Sequence, residues 1–301
     1  MNVLITGSNG FIGSNITIFL KKKDITVYGI GLKNIYNFNH KKKNIYKKNI
    51  INSITVSNLK KFKVKFDYII HCAGSRYIGL NKKEDFKKNV SSTRKLLEFV
   101  FKFSNNTKII IISSTSVYGD SLKKLTENTK INPISTYAIN KNKSELICKN
   151  IHKKYKTNIT ILRLTSIYGI GLKKQFIYDA CNKIRLNKNI FLGSGEELRD
   201  WLHIDDFSKL IYLLINKNMT GFNIFNCGAG KGHKIKDVLK KMIYEFKKDL
   251  KPKFDMTGIN FNQRSNVTSI NKIKKLGWKP KVNFERAINN YIRWFKKSYL
   301  N

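Results

Sequence analysis

The feature that most constrains the fold is the opening stretch, MNVLITGSNGFIGS over residues 1–14. A short apolar run, Val3, Leu4 and Ile5, leads into glycines at positions 7, 10 and 13. Apolar residues then recur at Phe11, Ile12, Ile16, Phe19 and Leu20, the spacing of one helix face. Strand, glycine turn and helix follow in that order. Gly7 permits the tight turn, Gly10 lets backbone N–H groups approach a pyrophosphate, and Gly13 lets helix and strand pack closely. The amino end of the helix directs its positive dipole at the phosphates. The stretch therefore predicts a dinucleotide site built from Gly7, Asn9, Gly10, Phe11, Ile12 and Gly13.

Charge suggests a different partner. The 301 residues carry a formal net charge of +40, which raises the possibility of nucleic acid. The lysines, however, are spread along the whole chain among asparagine and isoleucine, as in KKKNIYKKNIIN over 41–52. Arginine, the residue suited to bidentate phosphate and base contacts, is scarce. Dedicated nucleic-acid binding is not expected, whereas salt-dependent adhesion to polyanions and attraction of an anionic substrate are. No apolar run approaches the roughly 18 residues of a membrane span. The opening strand is too short and glycine-rich for a signal peptide, so a cytoplasmic protein without a membrane partner is expected. The four cysteines, Cys72, Cys148, Cys181 and Cys227, show no metal or disulfide spacing.

Along the chain, residues 25–30 read as a second strand. An acid at its end would hold an adenosine ribose, but the sequence there is Gly31, Leu32, Lys33 and Asn34. A lysine attracts a 2′-phosphate, so NADP is favoured over NAD. Residues 36–50 read as a polar surface loop, and 57–62 open a short helix. Residues 66–73 form a third strand ending in Cys72, Ala73 and Gly74, small residues over which a cofactor can lie. His71 reads as a strand-end packing residue. Residues 84–103 form an amphipathic helix with Phe86, Val90, Leu97 and Phe101 on one face. The unbroken apolar run 109–112 is a strand covered on both faces, and it runs into the serine-rich stretch 113–119.

Downstream, Tyr137 and Lys141 lie four apart on the helix that follows Pro133, so they share a face. A nearby ammonium stabilises a phenolate and makes the tyrosine a usable general acid or base. Further strands are expected over 159–164 and 222–226, and helices over 204–215, 235–246 and 284–295. Residues 191–195 read as a hairpin-like excursion leading to Arg199. The expected fold is α/β, a Rossmann-like doubly wound parallel sheet with a smaller interleaved substrate-binding lobe. The NAD(P)-binding domain takes 1–168 and 204–228, and the lobe takes 169–203 and 229–301.

With these residues assembled, the sequence resembles an extended short-chain dehydrogenase/reductase of the NAD-dependent epimerase/dehydratase family, which modifies nucleotide sugars. The resemblance is carried by the glycine turn, by residues 71–74, Asn89-Val90 and the serine loop ending in Val117-Tyr118-Gly119, and by the Tyr137/Lys141 pair. Arg163-Leu164, Tyr168-Gly169, Arg199-Asp200, Asp205-Asp206 and residues 276–280 extend it. It implies Ser114, Tyr137 and Lys141 as catalytic residues, with Lys141 also gripping the nicotinamide ribose, and Asn89 beside the cofactor. It implies that Arg199 and Arg264 clamp a diphosphate, that Ser114 and Thr115 meet the sugar, and that Arg76 lies where UDP-galactose 4-epimerases place a lysine. It further implies a homodimer packed through helices near 84–103 and 137–155.

Two departures refine this. The family's 4,6-dehydratases carry an Asp-Glu pair directly after the catalytic hydroxyl, where this chain has Thr115 and Ser116. Dehydration is therefore not expected. The missing acid near Gly31, with Ser53 where an adenine-binding aspartate is common, leaves both NAD and NADP open. The expectation is hydride transfer at carbon 4 of a nucleotide-diphospho-sugar. A 4-keto-6-deoxysugar reductase for surface polysaccharide precursors, similar to CDP-abequose synthase-type reductases, leads over a nucleotide-sugar 4-epimerase.

Overall fold

The computed structural model describes residues 1–31, 49–51, 60, 62–74, 81–103, 106–257 and 264–299. Lys33, Ser53, Arg76 and most of the helix expected over 57–62 lie outside the described residues. The chain divides into two compact units, and both are assembled from separated segments. The first comprises Met1–Val117, Pro133–Leu164 and Ser208–Phe225, and the second Tyr118–Asn132, Thr165–Phe207 and Asn226–Asn301.

The first unit is organised on a sheet of β1 (Asn2–Thr6), β2 (Thr26–Gly31), β3 (Asn49–Ile51), β4 (Tyr68–His71), β5 (Lys108–Ser114), β6 (Ile159–Leu164) and β7 (Phe222–Cys227). Their order is β7-β6-β5-β4-β1-β2-β3, and β1 to β6 run parallel. Val3, Leu4, Ile5, Ile69, Ile70 and Ile109 to Ile112 are buried, as required of strands covered on both faces. Chain order reverses between β1 and β4, the switch point where open α/β sheets form a crevice at their carboxyl ends. On the sheet pack α1 (Phe11–Lys21), α2 (Lys82–Phe86), a π-helical turn (Lys87–Ser91), α3 (Ser92–Phe103) and α4 (Thr136–Tyr155). Tyr28, Phe62 and Phe66 meet edge to face with centroids 5.6–5.7 Å apart. They belong to one core with Leu4, Leu96, Ile111, Cys148 and Ile161.

The structure departs from the sequence reading at three places. Residues 49 and 50, expected at the end of a loop, form β3 with Ile51 and pair with Gly29 to Gly31. The helix expected over 84–103 is interrupted by the π-turn, whose extra residue rotates the burial stripe. Thr93, Leu96, Leu97 and Val100 are buried, while Phe86 and Phe101 are exposed, with Phe101 lying against Tyr155 at 3.7 Å between centroids. Residues 191–195 do not form a hairpin. Ile190–Leu192 pairs in parallel with Lys253–Asp255, and the Glu197 carboxylate accepts from the backbone N–H groups of Ser194 and Gly195 at 2.8 and 3.0 Å.

In the second unit, Leu198–His203 is the centre of a three-stranded sheet, parallel to Ser166–Tyr168 and antiparallel to Gly232–Lys234. Two buried carboxylates tie its loops. Asp200 accepts from Ala229 N (2.6 Å), Gly230 N (3.0 Å) and the Thr268 hydroxyl (3.1 Å), and burial pushes its pKa up to about 6 against those bonds. Asp206 accepts from Lys281 N and Val282 N at 2.9 and 2.8 Å. Among the described residues no helix is long and apolar enough to cross a membrane, and no group of three or more His, Cys, Asp or Glu side chains is placed to hold a metal.

His71 packs at the end of β4, as its sequence position suggested. Its Nδ1 lies 2.7 Å from the Thr6 hydroxyl and its Nε2 3.2 Å from the Thr93 hydroxyl. Burial, reinforced by the charge of Lys141, lowers its pKa to about 3. A histidine depressed from 6.5 to about 3 binds its proton more readily unfolded than folded. Its neutral form therefore contributes stability that is present above pH 6.5 and is lost as pH falls towards 3. Thermal melts across that window are expected to show this loss, and His71→Asn is expected to flatten it.

Candidate active site

The glycine turn is shaped by backbone contact within the first unit. Gly7 adopts φ +69°, and a Cβ on it would stand 2.8 Å from Ala73 N. A Cβ on Gly13 would stand 2.3 Å from Gly7 O, whereas one on Gly10 would stand 3.2 Å from the same oxygen. Gly7 and Gly13 are thus required by the protein's own packing, and Gly10 far less so. Gly10 begins α1 with no side-chain cap, and no acidic residue lies in the first turn. That leaves the arrangement an anion binds at a helix amino end. Asn9 lies over the end of β2, since a Cβ on Gly31 would meet Asn9 Oδ1 at 2.7 Å. These features fit a dinucleotide pyrophosphate.

The carboxyl ends of β4 and β5 carry the remaining first-unit candidates. Cys72 N donates to Thr6 O at 3.0 Å and Ala73 N to the Thr6 hydroxyl at 3.3 Å, which ties the β4 exit to β1. A Cβ on Gly74 would stand 2.7 Å from Asn89 Oδ1 and 3.2 Å from Lys141 Nζ, so Gly74, Asn89 and Lys141 come together. Asn89 belongs to the π-turn, an irregularity frequent at functional sites. Its amide donates to Asp85 Oδ1 at 3.0 Å, and Asn140 of α4 donates to Asp85 Oδ2 at 2.6 Å.

Helix α4 begins where Ser135 caps it, accepting from Ala138 N at 3.2 Å. Tyr137 and Lys141 then fall on one face, with Lys141 Nζ 5.8 Å from the Tyr137 ring centroid. Lys141 Nζ also donates to Ile112 O at 2.9 Å, which pins its ammonium to β5. Ser114 Oγ, at the end of β5, accepts from Ser116 N (3.2 Å) and the Ser116 hydroxyl (2.9 Å). With both lone pairs taken, its own O–H is left to donate. The buried Thr115 hydroxyl donates to Leu164 O at 3.2 Å. One unit therefore brings together the glycine turn, Cys72 to Gly74, Asn89, Ser114, Tyr137 and Lys141.

Arg199 and Arg264 belong to the second unit, where their backbones are neighbours. Leu198 N donates to Arg264 O at 2.9 Å, and Leu198 bridges Ser265. Arg199 Nη1 donates to Leu198 O at 3.1 Å. Arg264 is exposed, and its N and Nε both bind the Asp120 carboxylate at 2.7 Å. Sequence reasoning missed Asp120, Asp85, Asn140 and a buried Arg163–Glu145 pair. Arg163 was noted on sequence only as part of the family resemblance, and Glu145 carried a signal in standing one and two helical turns beyond Lys141 and Tyr137.

The sequence pattern of the NAD dependent epimerase/dehydratase family matches residues 3–228. The chain belongs to that family. It is accordingly an NAD-dependent enzyme of nucleotide sugars. An uncharacterised protein of Methanocaldococcus jannaschii is 31% identical over 98% of this chain and 96% of its own length. A UDP-glucuronate 4-epimerase of Thermodesulfobacterium geofontis is 27% identical over 98% of this chain and 96% of its own. The crystal structure of a dTDP-glucose 4,6-dehydratase from Bacillus anthracis in complex with NAD shares the family fold. It superposes with a TM-score of 0.87 over 99% of this chain and 97% of that one, at 23% identity.

The contrast among the glycines generates a test. Gly10→Ala is expected to melt near the wild-type temperature but to bind NAD at least about tenfold more weakly, about 1.4 kcal/mol. Gly13→Ala is expected to lose stability outright. Calorimetry and fluorescence titration with NAD check both.

Proposed function

We propose that this family member transfers a hydride at carbon 4 of a nucleoside-diphospho-sugar and that the outcome is 4-epimerisation. The observation that carries the reading is the set Ser114, Tyr137 and Lys141 followed by Thr115 and Ser116, hydroxyl residues where a dehydratase needs carboxylic acids. Neither hydroxyl is placed for acid work, since Thr115 is spent on Leu164 O and Ser116 on Ser114. The similarity to a 4-epimerase along nearly the whole chain moves the balance from the reduction expected on sequence towards epimerisation.

In this reading Gly7, Asn9, Gly10, Phe11, Ile12 and Gly13 hold the cofactor's diphosphate end, while Ala73, Gly74 and Asn89 flank its nicotinamide end. When bound there, the nicotinamide would supply the hydride exchange at carbon 4. Tyr137, as a phenolate stabilised by the Lys141 ammonium, takes the proton of the sugar 4-hydroxyl and later gives it back from the neutral phenol. Ser114 donates its O–H to the same oxygen, whose charge grows as the C–H bond weakens. Arg199 and Arg264, backbone neighbours in the second unit, offer the fork geometry that suits a diphosphate.

A reductase is the second reading, favoured by the absence of an acid at the end of β2. NADP is its natural donor, and Lys33 supplies the charge for a 2′-phosphate. We also propose a homodimer through α3 and α4, on which Ile139 and Leu146 are 40% and 50% exposed.

One assay separates the two reactions, and two variants test the site and the dimer face. Interconversion of two UDP-sugars without added cofactor supports epimerisation, and stoichiometric NADPH oxidation with a 4-keto sugar nucleotide supports reduction. Tyr137→Phe is expected to lower kcat by about 100-fold or more with little change in KM. In sedimentation, Leu146→Lys is expected to convert a dimer to a monomer, and an unchanged mass would exclude this face.

A further inference from the structure

Behind Tyr137 and Lys141, on the same face of α4, stands Glu145, which is 5% exposed and turned into the layer between helix and sheet. Arg163 of β6, 4% exposed, meets it with a complete fork. Its Nε lies 3.1 Å from both carboxylate oxygens and its Nη2 lies 2.6 Å from Oε2. The Ser113 hydroxyl donates to Oε1. Both oxygens of Glu145 are therefore occupied from the sheet side.

Lys141 is one turn away on the same helix face, the usual position for a carboxylate's partner. It is held elsewhere, with its ammonium on Ile112 O and near the Tyr137 ring. We infer that Arg163 is a positioning residue: by saturating Glu145 it leaves the Lys141 ammonium forward at Tyr137 instead of drawn back along the helix. The inference rests on the reading of Ser114, Tyr137 and Lys141 given above.

Two physical arguments support it. In the low dielectric of the interior a carboxylate without its partner attracts a neighbouring ammonium strongly. With Arg163 removed, Lys141, one turn away on the same helix face, becomes a compensating partner for Glu145. Stability alone does not explain the pair, because a buried ion pair is often no better than apolar residues of the same volume. The neighbours of Arg163 on its face of β6, Ile159 and Ile161, show what the core accepts there. The charged pair occurs instead one turn behind Lys141 and two behind the proposed proton-transfer group.

The test uses Arg163→Met, Glu145→Gln and the double variant, each assayed where circular dichroism shows it fully folded. NAD affinity is read by fluorescence without any sugar, and kcat and KM are read with the UDP-sugar the wild type turns over. Arg163→Met is expected to lose about 100-fold in kcat, as expected for a reacting group misplaced by about an ångström. KM should be nearly unchanged and NAD binding about tenfold weaker. Adding Glu145→Gln removes the competing charge and is expected to restore both. A folded Arg163→Met with wild-type constants overturns the inference, as does a double variant no better than the single. Should Arg163→Met fail to fold, Arg163→Gln replaces it in the same comparison, and the same outcomes decide. A wild type that binds no NAD or turns over no nucleotide sugar would instead remove the function itself.

Discussion

Helix α4 buries Ala138, Asn140, Ser144, Glu145 and Cys148, so polar side chains occupy most positions that a packed helix ordinarily gives to leucine or isoleucine. Each polar member has a partner. Asn140 takes Asp85, Ser144 takes the carbonyls of Asn89 and Asn140, and Glu145 takes Arg163 and Ser113. Buried polar groups are costly unless bonded and directional once they are. A greasy face would let the helix slide or roll by fractions of an ångström at little cost. This one has a single rotation and a single height that satisfy all its bonds, and Tyr137 and Lys141 inherit that setting.

The glycine turn works by the opposite means, with nothing but backbone against backbone. A methyl group on Gly7 or Gly13 would meet main-chain atoms of residues 73 or 7 at under 3 Å, atoms that cannot move without dragging β1 or β4. Thr6 and His71 fix the same junction from below through Ala73 N, Cys72 N and Thr93. Glycine turn and sheet are one piece of covalent and hydrogen-bonded geometry, which is why the turn holds its shape without side-chain contacts of its glycines.

That distinction explains what the sequence made readable. Glycine spacing, unbroken apolar strands and the Tyr137/Lys141 interval are local patterns with local causes, and they led to the parallel sheet, the turn and the shared face of Tyr137 and Lys141. Asp85, Asn140, Glu145 and Arg163 are joined across 18 to 55 positions of chain, and no local periodicity marks which carboxylate meets which donor. The amphipathic reading of 84–103 failed because a 3.6-residue template cannot register an inserted residue. Phe86 and Phe101 therefore looked like core and are not. Arg264 was legible as an arginine in a lysine-rich chain, whereas its engagement with Asp120 depends on a contact 144 residues away.

The inserted residue at Lys87–Ser91 makes the count of amino acids between Asp85 and Thr93 a mechanical setting. Deleting one there would let α2 and α3 fuse into a regular spiral, but it would swing everything upstream through about 100°. Asp85 would then leave Asn140, and Asn89 would leave Gly74. This stretch should accept changes of letter far more readily than changes of length, the reverse of what is usual for a surface helix.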